Sequence, residues 1–184
     1  MEIEIEKTHI EGLLVIHPKV FEDNRGYFFE SYSKMTLQQH GINADFVQDN
    51  QSISRKNVLR GLHLQAPPFA QGKLVRVAHG KALDVAVDVR KNSSTFGQHF
   101  AVELSAENNT MFWIPEGFAH GFVALEDNTV FLYKTTNYYN KESEMAINPL
   151  DPVLNIHWGI ENPVLSERDR ENPLFEVFVS LFEK

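Results

Sequence analysis

The sequence predicts an all-β fold of the sandwich, jelly-roll or barrel type, with short helices only at its margins. Three observations carry that expectation. Apolar residues recur with a period of two along several runs, Gly, Pro, Asn and Asp punctuate those runs at short intervals, and helical spacing shows only in two short stretches. No internal repeat, low-complexity tract or linker breaks the chain, so residues 1–184 are expected to form one domain.

The first distinctive run is "FEDNRGYFFESY", residues 21–32, in which Arg25 and Glu30 flank a glycine and three aromatics. A charged edge strand explains it; so does an arginine that grips an anion beside rings that stack on a ligand. "SYSKMTLQQHG" then reads as a short helix ended by Gly41. In "FVQDNQSISRKNVLRGLHLQ", Gln48 and Asn50 lie two apart and share a strand face, as do Gly61, His63 and Gln65. Strict alternation sends Arg60 to the opposite face from His63, unless Gly61 marks a bulge that turns both inward. Among Val58, Leu59, Leu62 and Leu64, His63 is a satisfied core residue, a metal ligand or a base.

"KLVRVAHGKALDVAVDVR" is the clearest strand pair. Val75 and Val77 alternate with Leu74 and Arg76, then Val85, Val87 and Val89 with Asp84, Ala86 and Asp88, with Gly80 at the turn between. Lys73, at the head of this run, is either a surface lysine or a fixed positive charge placed for a developing oxyanion. "HFAVELS" sets Phe100, Val102 and Leu104 on one face, and "TVFLYKTT" sets Val130 and Leu132 against Phe131 and Tyr133. The last stretch, "PLFEVFVSLFEK", has Leu174, Phe175, Phe178 and Leu181 near helical spacing. Val177 and Val179 leave a strand equally open.

Between these lies "MFWIPEGFAHGF", whose Pro115, Gly117 and His120 resemble the second half-motif of cupins, double-stranded β-helices of the jelly-roll type. A cupin metal site usually draws two histidines and a glutamate from an earlier His-x-His segment. Here that segment is His63-Leu64-Gln65, so no metal is expected.

Composition narrows the classes further. The chain has no cysteine, which removes disulfides, thiolate nucleophiles and zinc ribbons and suits a reducing compartment. The opening "MEIEIEKTHIEG" is acidic and lacks an apolar h-region, and no run approaches the ~20 apolar residues of a membrane span. A cytoplasmic chain without signal peptide or membrane partner is the expectation. With 17 basic against 25 acidic residues and a net charge of −8, nucleic-acid binding is not expected either, while a small anion held by a few placed arginines remains open.

Taken together, "FEDNRGYFFE", "FVQDNQS", "VLRGLHLQ", "QGKLVRV", "DVAVDVRKNSSTFG", "IPEGFAHGF", "LYKTTNYY" and "LSERD" occur in an order and spacing that closely resemble the dTDP-4-dehydrorhamnose 3,5-epimerases, from about Leu14 to Asp169. The resemblance implies a cupin-type jelly roll with a few short peripheral helices and a reaction that uses no cofactor and no metal. The implied substrate is a dTDP-4-keto-6-deoxy-glucose, whose C3 and C5 protons are acidic because both carbons neighbour the C4 ketone. Inversion there needs a base, a stabiliser of the enolate and an acid on the other face.

The same resemblance implies roles residue by residue. His63 matches the base and Asp169 the carboxylate that supports it, although Ser166-x-x-Asp169 is also a helix capping box. Lys73 matches the group facing the C4 oxygen, Tyr133 the acid, and His120 a further substrate contact. Arg25, Glu30, Gln48, Asn50 and Arg60, with Glu144 and Arg168, match positions that hold the nucleotide, and Phe21 and Phe28 can supply aromatic walls. Many relatives carry lysine at Arg168, an aromatic at Leu64 and proline at Gly159. The family is dimeric, so a homodimer is expected in which the N-terminal strand crosses to the partner's sheet, with "RGYFFESY" as the crossing segment. The alternatives are inversion at C3 only, a metal-dependent cupin oxygenase, and a non-catalytic sugar-nucleotide binding module.

Overall fold

The computed structural model describes residues 2–183; Met1 and Lys184, the last residue of "PLFEVFVSLFEK", lie outside the described residues. The strands are β1 (Ile3–Lys7), β2 (Leu14–Pro18), β3 (Phe21–Asp23), β4 (Gly26–Phe28), β5 (Gln48–Ser54), β6 (Leu59–Gln65), β7 (Lys73–His79), β8 (Lys81–Asp88), β9 (His99–Ser105), β10 (Met111–Ile114), β11 (Phe118–Ala124), β12 (Thr129–Thr135) and β13 (Glu144–Ala146). Two short helices, α1 (Lys34–Gln39) and α2 (Glu167–Glu171), lie at the margins.

The strands form a six-stranded sheet, β1-β2-β10-β7-β12-β5, and a five-stranded sheet, β13-β6-β11-β8-β9, while β3 and β4 pair only with each other. The main core lies between the sheets, where Val75, Val77, Phe112 and Phe131 meet Ala82, Ala86, Leu104 and Phe122. This is the all-β architecture that the alternating runs predict, in the cupin-type jelly-roll form that the resemblance implies.

Gly80, at φ +74, does not close a hairpin. It carries the chain from β7 in one sheet to β8 in the other, and a Cβ there would stand 2.7 Å from Thr129 Oγ1. The phase of β8 follows from this placement. Its small residues, Ala82 and Ala86, face the other sheet. Val85, Val87 and Val89 face outward, under a second apolar layer that contains Leu154, Trp158 and Phe182. Small inner residues keep room between the sheets, which is where the site forms.

Helix α1 begins at Ser33, whose side chain accepts from the Thr36 amide, and ends as expected at Gly41, φ +86, whose amide bonds Gln38 O at 3.0 Å. Its Leu37 packs with Ile16, Leu74 and Met111 against the outside of the six-stranded sheet.

One expectation needs correction. The C-terminal stretch is neither a helix nor a ladder strand. It has one 3-10 turn, Phe175–Val177, and then runs extended, held by the Lys91 amide on Phe182 O and by Ser180 on the Val89 carbonyl. Its inward residues, Phe175, Phe178 and Phe182, match neither period because they fill gaps in an existing layer. The N-terminal strand is paired within its own sheet, β1 against β2 from Ile3–Pro18 to Lys7–Leu14. What stands apart is the β3–β4 hairpin, with Phe21, Tyr27 and Phe28 more than half exposed.

Candidate active site

The site begins with a bulge. β11 pairs with β6 so that His120 faces His63 and Phe122 faces Arg60, leaving two steps on β11 against three on β6. The extra residue lies at Gly61–Leu62 and breaks the alternation. Leu59 and Leu62 both turn to the outer apolar layer, while Arg60 and His63 both line the cavity between the sheets. Only glycine fits here. Gly61 has φ +140, and a Cβ would lie 2.6 Å from the Gly121 Cα on the neighbouring strand.

The cavity has a volume of about 730 Å³ and draws on both sheets. From the five-stranded sheet come Arg60, His63 and His120; from the six-stranded sheet come Asn50, Lys73 and Tyr133. His63 Nε2 lies 2.6 Å from Asp169 Oδ1, with the imidazole 37% exposed and the carboxylate only 7%. Burial pushes the Asp169 carboxyl upward, but hydrogen bonds from His63, Ser166 and the Gly61 amide outweigh it and leave the group below its ordinary value. An ionised Asp169 accepts the Nε2–H and leaves the Nδ1 lone pair of His63 for the cavity. Ser166 also caps α2 by accepting from the Asp169 amide at 3.0 Å, so "LSERD" forms the helix cap while its aspartate side chain meets His63.

Lys73 is buried and its Nζ donates to the His63 carbonyl at 3.2 Å. Burial lowers its pKa to about 8 against the pull of Asp84, so the ammonium stays charged at neutral pH. Tyr133, on the opposite wall, is raised by burial more than Arg60 lowers it, and keeps its phenolic proton. His120 Nε2 bonds Asp84 Oδ2 at 2.9 Å, and burial holds this imidazole below its ordinary value.

The expected binding residues divide into two groups. Arg60 lines the cavity and donates from Nε to Ser54 Oγ at 3.1 Å. Asn50 lines it too, and is held by Gln48 Nε2 at 2.9 Å. Gln48 stands behind as a strut that also accepts from the Tyr139 amide. Glu144 and Arg168 meet at the cavity at 2.7 Å, with the Tyr139 hydroxyl donating to the same Glu144 oxygen at 2.9 Å. Gly159 in the preceding loop adopts φ +71, a conformation closed to proline.

Arg25 and Glu30 do not line the cavity of their own chain, and neither do Phe21 or Phe28. Arg25 is 85% exposed and paired with Asp23 at 2.5 Å. The cause is the hairpin, which joins neither sheet.

Sequence reasoning missed Asp84 and Tyr139. Asp84 had a signal, a carboxylate in phase with two alanines inside an apolar strand; Tyr139 had none. Among the described residues no three of His, Asp and Glu gather as a metal-binding group. No helix among them is long and apolar enough to cross a membrane.

The family model described as dTDP-4-dehydrorhamnose 3,5-epimerase matches residues 7–176. The Salmonella typhimurium protein of that name is 54% identical over 172 residues, covering 92% of this chain and 94% of that one. A Legionella pneumophila dTDP-6-deoxy-D-glucose-3,5-epimerase, solved with dTDP-4-keto-L-rhamnose, superposes with a TM-score of 0.93 at 47% identity over 97% of this chain and 95% of the other. A 3'-monoepimerase from Streptomyces bikiniensis, solved with dTDP-quinovose, is similar at 34% identity and a TM-score of 0.86, over 91% and 85% of the two chains.

Proposed function

Because the chain belongs to the dTDP-4-dehydrorhamnose 3,5-epimerase family, we infer that it inverts C3 and C5 of dTDP-4-keto-6-deoxy-glucose to give dTDP-4-keto-L-rhamnose. One observation carries the mechanism: His63, backed by Asp169, stands on the five-stranded sheet while Tyr133 stands on the six-stranded one, across a shared cavity. A sugar ring between them meets a base on one face and an acid on the other.

In this reading His63 Nδ1 takes the proton from the carbon beside the ketone, and the C–H electron pair moves into the enolate. Asp169 stabilises the imidazolium that results. The negative charge collects on the C4 oxygen, where the Lys73 ammonium acts in a site with little water. Tyr133 then gives its proton to the opposite face of the carbon; release of the proton held by His63 to solvent and return of a proton to the Tyr133 phenolate ready the site for the second centre. Arg60, Asn50, Glu144 and Arg168 hold the nucleotide, and the arginines suit its diphosphate.

We also read the active form as a homodimer. Arg25 lies at the turn of a hairpin with three exposed aromatics and Glu30 just after it, neither lining their own cavity, which supports their reaching the partner's cavity. The acidic, cysteine-free chain fits a cytoplasmic enzyme acting on a nucleotide sugar.

The test is proton NMR of dTDP-4-keto-6-deoxy-glucose with the protein in D₂O. Loss of both the C3 and C5 proton signals, with the product trapped by a reductase as the L-sugar nucleotide, is the expected result. Exchange at C3 alone would instead align the chain with the monoepimerases. No exchange by folded protein would overturn the catalytic reading.

A further inference from the structure

Asp84 lies on β8 and faces the space between the sheets, in phase with Ala82 and Ala86. It is fully buried, and its Oδ1 has no hydrogen-bond partner among the described residues. A core position gains nothing from such a group, because a buried carboxylate oxygen without a partner costs free energy that an apolar residue would not. Its other oxygen is engaged by His120 Nε2 at 2.9 Å. The ring of His120 is further confined by Phe131, whose centroid lies 6.0 Å away at 31°.

We propose that Asp84 is a positioning residue: it fixes His120 in the tautomer whose Nδ1 lone pair faces the cavity, so that His120 and Lys73 together read a hydroxyl next to a ketone.

The argument runs through hydrogen-bond inventory. A neutral imidazole has one donor and one acceptor, and the partner of one nitrogen decides the role of the other. Oδ2 of Asp84 is the acceptor in this contact, so Nε2 is the donor. Nδ1 is the remaining polar atom of a ring that lines the cavity. A second proton on this ring is disfavoured by its burial and by the nearby Lys73 ammonium. Lys73 can only donate, and His120 in this tautomer can only accept from within the cavity. A donor beside an acceptor is the complement of a C4 ketone beside a C3 hydroxyl, and neither group alone makes that distinction. The identity of the sugar rests on the epimerase reading; the tautomer does not.

The first measurement uses the wild-type full chain labelled with ¹⁵N and long-range proton–nitrogen correlation of its imidazoles at neutral pH. His120 is expected to show a protonated Nε2 and an unprotonated Nδ1. A protonated Nδ1, alone or in a doubly protonated ring, would overturn the proposal without any variant having to fold. The second uses Asp84→Asn, which keeps the volume but can donate to Nε2. The ring should then invert to Nδ1–H, and KM for the keto-sugar nucleotide should rise about tenfold with kcat within about threefold, the loss expected for one hydrogen bond. For the analogue lacking the C3 hydroxyl, wild type and Asp84→Asn should agree within about twofold. Equal weakening toward both substrates, or an unchanged tautomer in the variant, would assign Asp84 a structural role only. A wild type that exchanges neither sugar proton would remove the epimerase reading, and the ring-nitrogen result would still decide the role of Asp84.

Discussion

His63 and His120 stand opposite each other across β6 and β11, and each gives its Nε2 to an aspartate, His63 to Asp169 at 2.6 Å and His120 to Asp84 at 2.9 Å. The two pairs differ in exposure. His63 is open to the cavity, whereas the His120 pair is buried. The open pair suits proton transfer and the closed one suits recognition.

For the open pair, Asp169→Asn should leave nucleotide binding intact and lower kcat on the order of 10³- to 10⁴-fold, because the amide favours the wrong tautomer of His63. His63→Asn should abolish exchange at both carbons. Deuterium exchange, together with dTDP binding by calorimetry, checks both; turnover by His63→Asn would place the base elsewhere.

Tyr133→Phe separates the two halves of the reaction. Proton removal depends on His63 and should persist, while delivery from the opposite wall fails. Wash-in of deuterium should therefore outlast product formation by about 10²-fold or more. Equal loss of both would give Tyr133 a different task.

Lys73 couples activity to stability. Its folded-state pKa, about 8, lies below the ordinary lysine value of 10.5, so the unfolded chain binds the extra proton between them. Stability should accordingly rise with pH across that window, as the buried charge is lost. Activity should fall there, since the neutral amine no longer stabilises the enolate. Lys73→Met removes both effects at once. It should raise Tm by several degrees at pH 7 and lower kcat about 10²-fold or more, a larger effect than on KM. Thermal scans and rate profiles from pH 7 to 10 test this; a less stable variant would contradict it.

Gly61→Ala should cost more than about 2 kcal/mol, since φ +140 and a Cβ at 2.6 Å from Gly121 both oppose a side chain. The same change should disturb Arg60 and His63, which the bulge aims. Urea denaturation measures the first effect and kcat/KM the second.

Arg25→Ala and His63→Asn should each be inactive alone yet recover activity when mixed and refolded. In a heterodimer one site retains its own His63 and the partner's Arg25, so random pairing restores about a quarter of wild-type activity. A mixture that stays inactive would place Arg25 on the cavity of its own chain or outside the site.

Much of this site was written in the order of residues. Period-two alternation is a local property, and it located β7, β8, β9 and β12 because successive strand side chains must alternate in direction. His63, Lys73, His120, Tyr133 and Asp169 were marked by polar groups in apolar strands and by a motif set read together. Tertiary structure alone decided the rest. It placed Tyr133 on the opposite sheet from His63, brought Asp169 to His63 from 106 residues away, and set Asp84 behind His120. It also turned the valines of β8 away from the main core and left Arg25 on a hairpin outside the cavity. The reason is physical. Alternation fixes which neighbours share a face, but which faces meet is settled by how all the strands bury their surfaces together, and no local spacing encodes that.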